Sequence, residues 1–443
     1  MKYSSPLKKI TSLLCVFALL LSLMACGAES AGTENGSAEA GASQSGLPIA
    51  PGKVQAADLL ENFTAQPVEE KETDEAFAGA LLRLGTLLLQ KLGEEQSGSN
   101  LLVSPLSVMT ALTMTANGAA GETLAEMERV LGGSLKLADL NAYQAAWYRN
   151  LAKASDSVTL RFANAIWFKD EPGFIVKDSF LQTNVDHFSA AIRKAPFDDA
   201  TLRDINQWAD LNTDHMIPEI LDFLSPNDVM VLLNALCLEA KWSVPFDENE
   251  VRKEALFVTE DHTLRKVSLM QASENAYLED DLCTGFRKDY AGGYSFVALL
   301  PRQTDSLGDF VRALNEKRLL NLLGSQQDVP VFIGLPKFSY DFKADLADSL
   351  AALGMPGAFA LADFSGITDS YLLSIDRVIH KTHIDVDSEG TRAAAVTAVT
   401  MRKNAAPVYP DQKEVVLDRP FVYLILDQDN VPIFMGTVLD IAP

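Results

Sequence analysis

The sequence predicts an α+β fold. Apolar residues in the first third recur at three- and four-residue spacing, as on one face of a helix, whereas aliphatic and β-branched runs of strand length follow in the second half. Strands and helices do not alternate regularly, which argues against a parallel α/β sheet. With 443 residues, no internal repeat and no low-complexity stretch after residue 70, the chain is predicted to form one large domain.

Three helices are predicted at the start of this domain. The first has four apolar residues on one face, Phe77, Leu81, Leu84 and Leu88, and the polar and glycine residues at 94–99 end it. A second apolar stretch, at residues 107–116, stops at Asn117-Gly118. Thr123 and Glu126 have the spacing of a capping box, which predicts the start of a third helix at this point.

Strands are predicted later in the chain. Residues 229–238, 294–300 and 329–335 are rich in aliphatic or β-branched side chains. The C-terminus is predicted to be a hairpin, with strands at 421–426 and 431–438 around a polar turn at 427–430.

The first 25 residues have the pattern of a signal peptide. Lys2, Lys8 and Lys9 precede an apolar run at 10–23 that is too short for a membrane span. The run ends in Leu23-Met24-Ala25-Cys26, which resembles a bacterial lipobox and predicts lipid attachment at Cys26; a plain secretion signal is the alternative. Residues 26–71 are predicted to be a flexible tether and lead-in, and 72–443 the folded domain. The chain is therefore expected outside the cytoplasm, on the cell surface.

Charge and cysteine content exclude several classes of protein. The 37 basic and 60 acidic residues give a net charge of −23, and loss of the three signal lysines would take it to −26. Because nucleic acids and anionic membranes attract positive charge, nucleic acid is not expected as a partner. Contact with a membrane is expected only through the lipid. Four cysteines cannot form a disulfide framework. Cys15 leaves with the signal and Cys26 carries lipid, while Cys237 and Cys283 are predicted to be buried packing thiols.

Catalytic motifs are not evident in the sequence. It contains no Gly-x-Ser-x-Gly, no His-Glu-x-x-His and no phosphate-binding glycine loop. Of the five histidines, His380 and His383 are close together, but three-residue spacing places them on opposite faces of a strand. We therefore expect neither an enzyme nor a metal or cofactor site.

The segment from Gly390 to Arg402 is unusual. Read with a period of two, one face carries only uncharged, mostly small residues: Thr391, Ala393, Ala395, Thr397, Val399 and Met401. The other face carries both arginines, Arg392 and Arg402. A polar, proline-bearing stretch at 403–410 follows and predicts an exposed loop. Taken alone, the segment is also consistent with an ordinary structural element, either an edge strand or an alanine-rich helix, that leads into a loop.

Motifs from residue 72 to the end resemble the serpins, the serine-protease-inhibitor fold. Those that carry the resemblance are, in order, Asn100-Leu-Leu-Val-Ser104-Pro105-Leu-Ser107, Gly118-Ala-Ala-Gly121-Glu-Thr123, Asn164-Ala-Ile-Trp167, Asn206-Gln-Trp208, Asn234-Ala-Leu236, Lys241-Trp242-Ser-Val-Pro245-Phe246, Leu335-Pro-Lys337-Phe338, Ala362-Asp-Phe-Ser-Gly366-Ile367, His380-Lys381, Pro420-Phe421 and Phe434-Met-Gly436. The resemblance implies three β-sheets, about eight to nine helices and an exposed reactive-centre loop at about 388–418.

The resemblance also assigns roles to residues. The hinge of the loop would be Glu389, Gly390, Thr391, Arg392, Ala393, Ala394, Ala395, Val396 and Thr397. Ser104, Ser107, Asn234 and His380 resemble the shutter, a polar cluster beneath the opening sheet, and Trp242 the breach at its top. Two positions depart from the inhibitory pattern. Val396 is bulkier than usual, and Ser388 stands where inhibitors commonly have Glu, with Glu389 next to it as a source of charge.

The implied activity is irreversible inhibition of serine proteases. A protease would cut the loop and be captured as the loop inserts into sheet A. Counting along the loop places the cut at Asn404–Ala405, but the loop is long, so Met401, Arg402 and Lys403 are also candidates. Arg402 and Lys403 suit trypsin-like enzymes, and Met401 suits chymotrypsin-, elastase- or subtilisin-like ones. Some cysteine proteases are an open alternative, and the inhibitor is expected to be a monomer.

Two other functions are consistent with parts of the sequence. A non-inhibitory serpin could act as a binding or chaperone module, although such proteins usually carry bulky, charged or proline residues where this chain has Ala393, Ala394 and Ala395. A lipoprotein receptor for small solutes would share the lipobox and tether, but not the motifs of the domain.

Overall fold

The computed structural model describes residues 56–151, 158–188, 191–225, 227–302, 306–391 and 412–441. Its helices are α1 (Glu75–Glu95), α2 (Pro105–Ala116), α3 (Gly121–Leu131), α4 (Leu137–Leu151), α5 (Asp178–His187), α6 (Asp199–Asn212), α7 (Leu307–Ala313), α8 (Glu316–Gly324) and α9 (Ala347–Ala352). Its strands are β1 (Ala57–Asp58), β2 (Leu101–Val103), β3 (Val158–Lys169), β4 (Ala191–Ala195), β5 (Met230–Lys241), β6 (Arg252–Val258), β7 (Leu264–Glu279), β8 (Cys283–Asp289), β9 (Ser295–Pro301), β10 (Gln327–Pro336), β11 (Phe338–Asp345), β12 (Arg377–Val386), β13 (Gly390–Thr391), β14 (Lys413–Val416), β15 (Phe421–Leu426) and β16 (Pro432–Val438). Glu248–Glu250 and Pro356–Phe359 are short 3₁₀ helices.

The first two predicted helices are present. At the start of α1 the Asp74 carboxylate accepts hydrogen bonds from the backbone N–H groups of Ala76 and Phe77. Helix α2 begins earlier than predicted, because Pro105 occupies its first turn and the Ser104 hydroxyl accepts from the N–H of Ser107. Every residue of α2 is buried, so this helix lies inside the molecule.

The predicted capping box of α3 is wrong. The helix starts at Gly121, and its N-cap residue, Ala120, has no side-chain cap. The Thr123 hydroxyl instead accepts from the N–H of Asp363, and the Glu126 carboxylate accepts from the N–H of Gly357, both from a later part of the chain. A tertiary contact therefore uses the two polar groups that the local pattern assigned to a cap.

The predicted strands are present, and they form two hydrogen-bonded sheets among the described residues. The first, sheet A, has the strand order β1-β4-β3-β5-β13-β12-β11. The second has the order β14-β10-β7-β8-β9-β15-β16-β2, with β6 paired to β7. The family resemblance implied three sheets. Strand β7 pairs with β6, β10 and β8, and so links strands of two of these sheets into one hydrogen-bonded sheet.

The centre of sheet A is a seam between β5 and β12. These strands pair in parallel from Val231–Arg377 to Leu236–Thr382. Beyond that level β13 lies between them, and pairs with both. The seam is therefore closed over one part of its length and occupied by a third strand at its other end.

Helices cover both faces of sheet A. Alternate residues of β5, such as Leu232 and Leu236, belong to the main core together with α2. The residues between them, such as Leu233 and Cys237, belong to a second apolar cluster with Trp208 of α6. Within the described part of the chain, none of the helices has the length and apolarity needed to cross a membrane.

Candidate functional site

The hinge segment enters sheet A directly after β12. The chain reverses at Ser388 and Glu389, where the N–H of Asp387 donates to the carbonyl of Gly390. The Asp387 carboxylate also accepts from the N–H groups of Glu389 and Gly390 and so stabilises this turn. Gly390 and Thr391 then pair with Lys241 and Ala240 of β5.

Gly390 packs directly against the backbone of β5. A Cβ atom at this position would lie 2.1 Å from the carbonyl oxygen of Ala240, and backbone cannot move aside as a flexible side chain can. Only glycine therefore allows the chain to enter sheet A in this register.

Thr391 is the first hinge side chain to enter the interior. It is 2% exposed, and its hydroxyl is 2.5 Å from the phenol oxygen of Tyr290, which is also buried. Burial raises the pKa of Tyr290, so the phenol stays protonated and the hydrogen bond carries no charge. The sequence patterns gave no sign of Tyr290, because its partner lies 101 residues away.

Trp242 connects β5 to the turn before the hinge. Its indole N–H donates to the carbonyl of Asp387 at 2.9 Å, and its backbone N–H donates to the carbonyl of Glu389, also at 2.9 Å. Its ring stacks on Tyr290, with the centroids 4.2 Å apart. Trp242 therefore contacts both the turn and the aromatic residue that binds Thr391.

A buried ammonium group lies beside this aromatic cluster. Lys288 is 2% exposed; its Nζ donates to the carbonyl of Val244 and is 2.6 Å from a carboxylate oxygen of Glu274. The same Nζ lies 4.5 Å from the centre of the Phe246 ring and 5.5 Å from that of Trp242. The charge is thus both paired and placed over aromatic faces, as a buried lysine requires.

A carboxylate lies beside Ser388, and it belongs to Glu248. The Ser388 hydroxyl donates to Glu248, and Lys337 Nζ is 2.7 Å from the same carboxylate and 3.2 Å from the Ser388 hydroxyl. Lys337, and then the Ser388 hydroxyl, lower the pKa of Glu248, so its charge persists at neutral pH. The sequence suggested Glu389 as the source of charge at this position. The structure shows that Glu248, in a 3₁₀ helix elsewhere in the chain, places a carboxylate there.

Five polar side chains meet under the seam and form what we call the polar cluster. Asn164 of β3, Asn234 of β5 and His380 of β12 lie at the same level of adjacent strands. Ser104 and Ser107 approach them from the start of α2. All five are at most 1% exposed. The sequence had identified four of them and missed the role of Asn164, whose alignment depends on strand register.

The hydrogen bonds fix the proton positions in the polar cluster. The Ser104 N–H donates to His380 Nε2 at 3.2 Å, so Nε2 is unprotonated and Nδ1 donates to the Asn234 carbonyl oxygen at 2.5 Å. The Asn234 amide in turn donates to Ser107 and Asn164. Burial lowers the pKa of His380 to about 3, and the imidazole is therefore neutral at physiological pH.

The remaining site predictions lie partly outside the described residues. Cys26, hinge residues Arg392 to Thr397 and the candidate cleavage residues Met401, Arg402, Lys403, Asn404 and Ala405 all fall there. Cys237 and Cys283 are buried, and neither forms a disulfide bond with another described residue. His383 is on the face of β12 opposite to His380 and contacts Asp341. Among the described residues, no three His, Cys, Asp or Glu side chains are grouped to hold a metal ion.

Gly390→Ala should displace the hinge from β5. Because the new methyl group would overlap the Ala240 carbonyl, we expect a loss of about 1–3 kcal/mol in the free energy of unfolding, and a change in tryptophan fluorescence as Trp242 loses its partners. Gly324→Ala is the matched control, since nothing lies within 4 Å of the added carbon. Equal behaviour of the two variants would contradict the close packing.

Acid should destabilise the protein through His380. The histidine pKa is about 3 when folded and near 6.5 when unfolded, so the unfolded chain binds the extra proton between these values. The contribution of neutral His380 to the free energy of unfolding is fully present above pH 6.5. Between pH 6.5 and about pH 3 it is lost, at up to about 1.4 kcal/mol for each pH unit. In urea unfolding, His380→Gln should remove this slope, whereas His383→Gln on the same strand should retain most of it. A slope unchanged in His380→Gln would refute the assignment.

Comparison with known proteins identifies the family. A family model described as "Serpin (serine protease inhibitor)" matches residues 80–441. An uncharacterized serpin-like protein of Thermococcus kodakarensis is 31% identical over 355 residues, or 78% of this chain and 81% of that protein. The native-state structure of the thermophilic serpin tengpin is 39% identical, with a TM-score of 0.82, and the match covers 87% of this chain and 100% of that one. The latent-state structure of tengpin is 36% identical, with a TM-score of 0.72, and the match covers 84% of this chain and 100% of that one. The chain therefore belongs to the serpin family, whose members are generally protease inhibitors and not enzymes.

Proposed function

We propose that this protein irreversibly inhibits serine proteases as a suicide substrate. The observation that carries the proposal is the position of the hinge. Gly390 and Thr391 already lie between β5 and β12, at the open end of the seam. The chain beyond Thr391 can therefore extend an existing strand without starting a new one.

The register on both sides of the seam favours this extension. Thr391 is opposite Ala240 on β5 and Val386 on β12. Continued in antiparallel order, each later loop residue would lie between one residue of β5 and one of β12. For loop residues 395–400 these two residues are the pairs that β5 and β12 already form in parallel. At position 400 the flanking pair would be Val231 and Arg377, which are partners in the present structure. Insertion therefore needs no shift of register in either strand.

The loop sequence suits the environment that this register provides. Ala393 would face Leu238 and Ile384, and Ala395 would face Leu236 and Thr382, which are buried and leave room only for small side chains. Thr397 would lie level with Asn234 and His380 and bring a hydroxyl to the polar cluster. Arg392 would point to the other face, between the carboxylates of Glu239 and Asp385, where its charge is matched.

The chemistry is that of an interrupted proteolysis. The protease serine oxygen bonds to a loop carbonyl carbon, the peptide C–N bond breaks, and the new amine takes the proton from the catalytic base. The loop on the acyl side is then free to insert. If insertion is faster than attack by water on the ester, the protease remains attached. The bond cut is Asn404–Ala405 in our preferred count, with Met401, Arg402 and Lys403 as alternatives.

The proposal includes location outside the cytoplasm. The basic start, the apolar run and Cys26 support export and a lipid anchor, and the composition of residues 27–53 supports a flexible tether. A tethered inhibitor would capture proteases that reach the cell surface.

The experiment is incubation with trypsin-, elastase-, subtilisin- and chymotrypsin-like proteases, followed by denaturing gels. We expect a covalent band that survives denaturation with at least one protease, and mass spectrometry of the released C-terminal peptide identifies the bond cut. If every protease cleaves the loop and keeps full activity, the protein is not an inhibitor.

Ala395→Glu should convert the inhibitor into a substrate. The carboxylate would have to enter between Leu236 and Thr382 during insertion, at a desolvation cost of several kcal/mol. The fraction of cleaved molecules that carry a protease should fall to near zero on gels, while the cleavage rate stays the same. Ala395→Ser, which is small and neutral, should retain most of the activity. Undiminished capture by Ala395→Glu would rule out insertion in this register.

A further inference from the structure

An apolar surface lies at the end of sheet A that is farther from the hinge. Four side chains form it, and we call it the basal surface: Ile175 is 70% exposed, Leu361 94%, Tyr371 39% and Leu372 95%. Leu361, Tyr371 and Leu372 line one pocket, and the Tyr371 ring meets the edge of the Phe174 ring, next to Ile175. A surface that faces only water rarely carries several large apolar side chains together, so this one is expected to contact a partner.

The loops that carry the basal surface are held in place by hydrogen bonds. The Tyr371 hydroxyl donates to the carbonyl of Pro172 at 2.6 Å, and the N–H of Lys177 donates to the carbonyl of Ile367 at 2.8 Å. The Lys177 ammonium also lies 2.7 Å from a carboxylate oxygen of Asp369. The apolar side chains therefore project from ordered loops in which these polar groups already have partners, and they can enter an apolar medium without breaking those bonds.

The described chain begins at the same edge of sheet A. Strand β4 runs parallel to β3, and β1 runs antiparallel to β4, so Ala56, which precedes β1, lies at the edge where β3 ends. The loop that carries Ile175 leaves β3 at this edge. Strands β1 and β3 are two positions apart in the sheet, which is a lateral distance of about 10 Å. The chain that precedes Ala56 therefore joins the domain beside the basal surface.

A lipid at Cys26 would bring a bilayer within reach of this edge. Between Cys26 and Ala56 there are 29 residues, and a flexible chain of that length spans roughly 30 Å on average. The hinge end of sheet A is farther away, because β5 has 12 residues and is about 40 Å long. Of the two ends of the sheet, the one with the basal surface is thus the one that the tether would hold near the membrane.

We propose that the basal surface docks on the lipid bilayer to which the protein is anchored. This inference rests on the proposed location of the protein, outside the cytoplasm and attached by a lipid. Ile175, Leu361 and Leu372 would enter the boundary between headgroups and acyl chains. Tyr371 has an apolar ring and a polar end, which is the character of side chains that lie at membrane interfaces. Because the tether keeps the bilayer close, even weak insertion is largely occupied.

The contact would be apolar and not electrostatic. Asp363 and Asp369 are exposed beside the leucines; the Asp363 carboxylate accepts from the N–H of Ser365, and Asp369 pairs with Lys177. These charges would remain among the headgroups and limit the depth of insertion. The acidic domain should therefore dock best on neutral phosphatidylcholine. On anionic bilayers, added salt should strengthen the contact, because it screens the repulsion.

Docking would also orient the inhibitor. The hinge is at the opposite end of β5, so the reactive-centre loop would be turned away from the bilayer and towards proteases in solution. Insertion would carry a captured protease to the edge that bears the basal surface, and the complex would then have to rise from the bilayer. A tether of about 30 Å permits this movement.

Tryptophan fluorescence in vesicles tests the docking. The lipid-bearing protein is reconstituted in phosphatidylcholine whose acyl chains carry bromine, which quenches only at short range. The four native tryptophans are at most 7% exposed, so Leu372→Trp adds an exposed indole to a shielded background. We expect its emission to shift to shorter wavelength and to fall about twofold. Leu256→Trp is the matched control, since Leu256 is 54% exposed on β6, which follows the hinge end of β5, and it should not be quenched.

A second substitution tests whether the apolar side chains make the contact. Leu361→Asp, added to Leu372→Trp, should abolish most of the quenching, because a carboxylate would have to leave water. Leu264→Asp in the same background should leave the quenching unchanged, since Leu264 is 61% exposed on β7, away from the basal surface. Leu361→Gln is a milder variant if the aspartate reduces folding, and it should weaken the quenching in the same direction.

The outcomes separate this proposal from the proposed function. Equal quenching at positions 372 and 256, or none at either, would overturn the docking and leave inhibition, which is measured on gels, intact. An emission shift that appears without vesicles and grows with protein concentration would assign the surface to a second copy of the chain and overturn the docking as well.

The docking can also be tested independently of the natural anchor. Absence of a lipid at Cys26 by mass spectrometry would refute the anchor. The chain from Cys26 onward can then be coupled through this thiol to a maleimide lipid, because Cys237 and Cys283 are each 1% exposed. The same quenching pattern is expected, and its absence would refute the basal surface as a lipid-binding site.

Discussion

The seam between β5 and β12 is the constraint on which the rest of the structure depends. Six residue pairs join the strands directly at one end, and Gly390 and Thr391 occupy the space between them at the other. Where two parallel strands are not hydrogen-bonded to each other, their backbone N–H and C=O groups can pair with another strand. The aromatic cluster, the polar cluster and the turn after β12 are all arranged around this one opening.

The proposed insertion requires the closed end of the seam to be stable and yet able to part, and the composition of the polar cluster suits both requirements. Apolar side chains across the seam would gain most from staying together, whereas Asn164, Asn234 and His380 gain from hydrogen bonds that a new strand can also supply. Because the side-chain nitrogens of all three residues have hydrogen-bond partners, the closed state is not strongly penalised for burying them. A neutral His380 is essential to this arrangement, since a second ring N–H would face the N–H of Ser104.

The sequence indicates much of the fold and only part of the site. Periodicity identifies α1, the central strands and the C-terminal hairpin because their burial is regular, and short motifs identify Ser104, Ser107, Asn234, His380 and Trp242. Tyr290 and Asn164 escape such reasoning, because their positions depend on which strands become neighbours. The Thr123–Glu126 pattern misleads for the same reason: Asp363 and Gly357 come from a distant part of the chain and take the groups that a local cap would use.

Ser388 and Glu248 illustrate a compensation that is visible only in three dimensions. A glutamate at 388 would place a second carboxylate beside Glu248, and the two would compete for the Lys337 ammonium. With serine there, the hydroxyl donates to Glu248 and lies within hydrogen-bond distance of Lys337, so one ammonium and one carboxylate balance. The N–H of Phe246 also donates to the carbonyl of Ser388, which ties this turn to the same segment as Glu248. The departure from the inhibitory pattern at 388 is therefore a relocation of the charge, not its loss, and the turn that precedes the hinge remains anchored to sheet A.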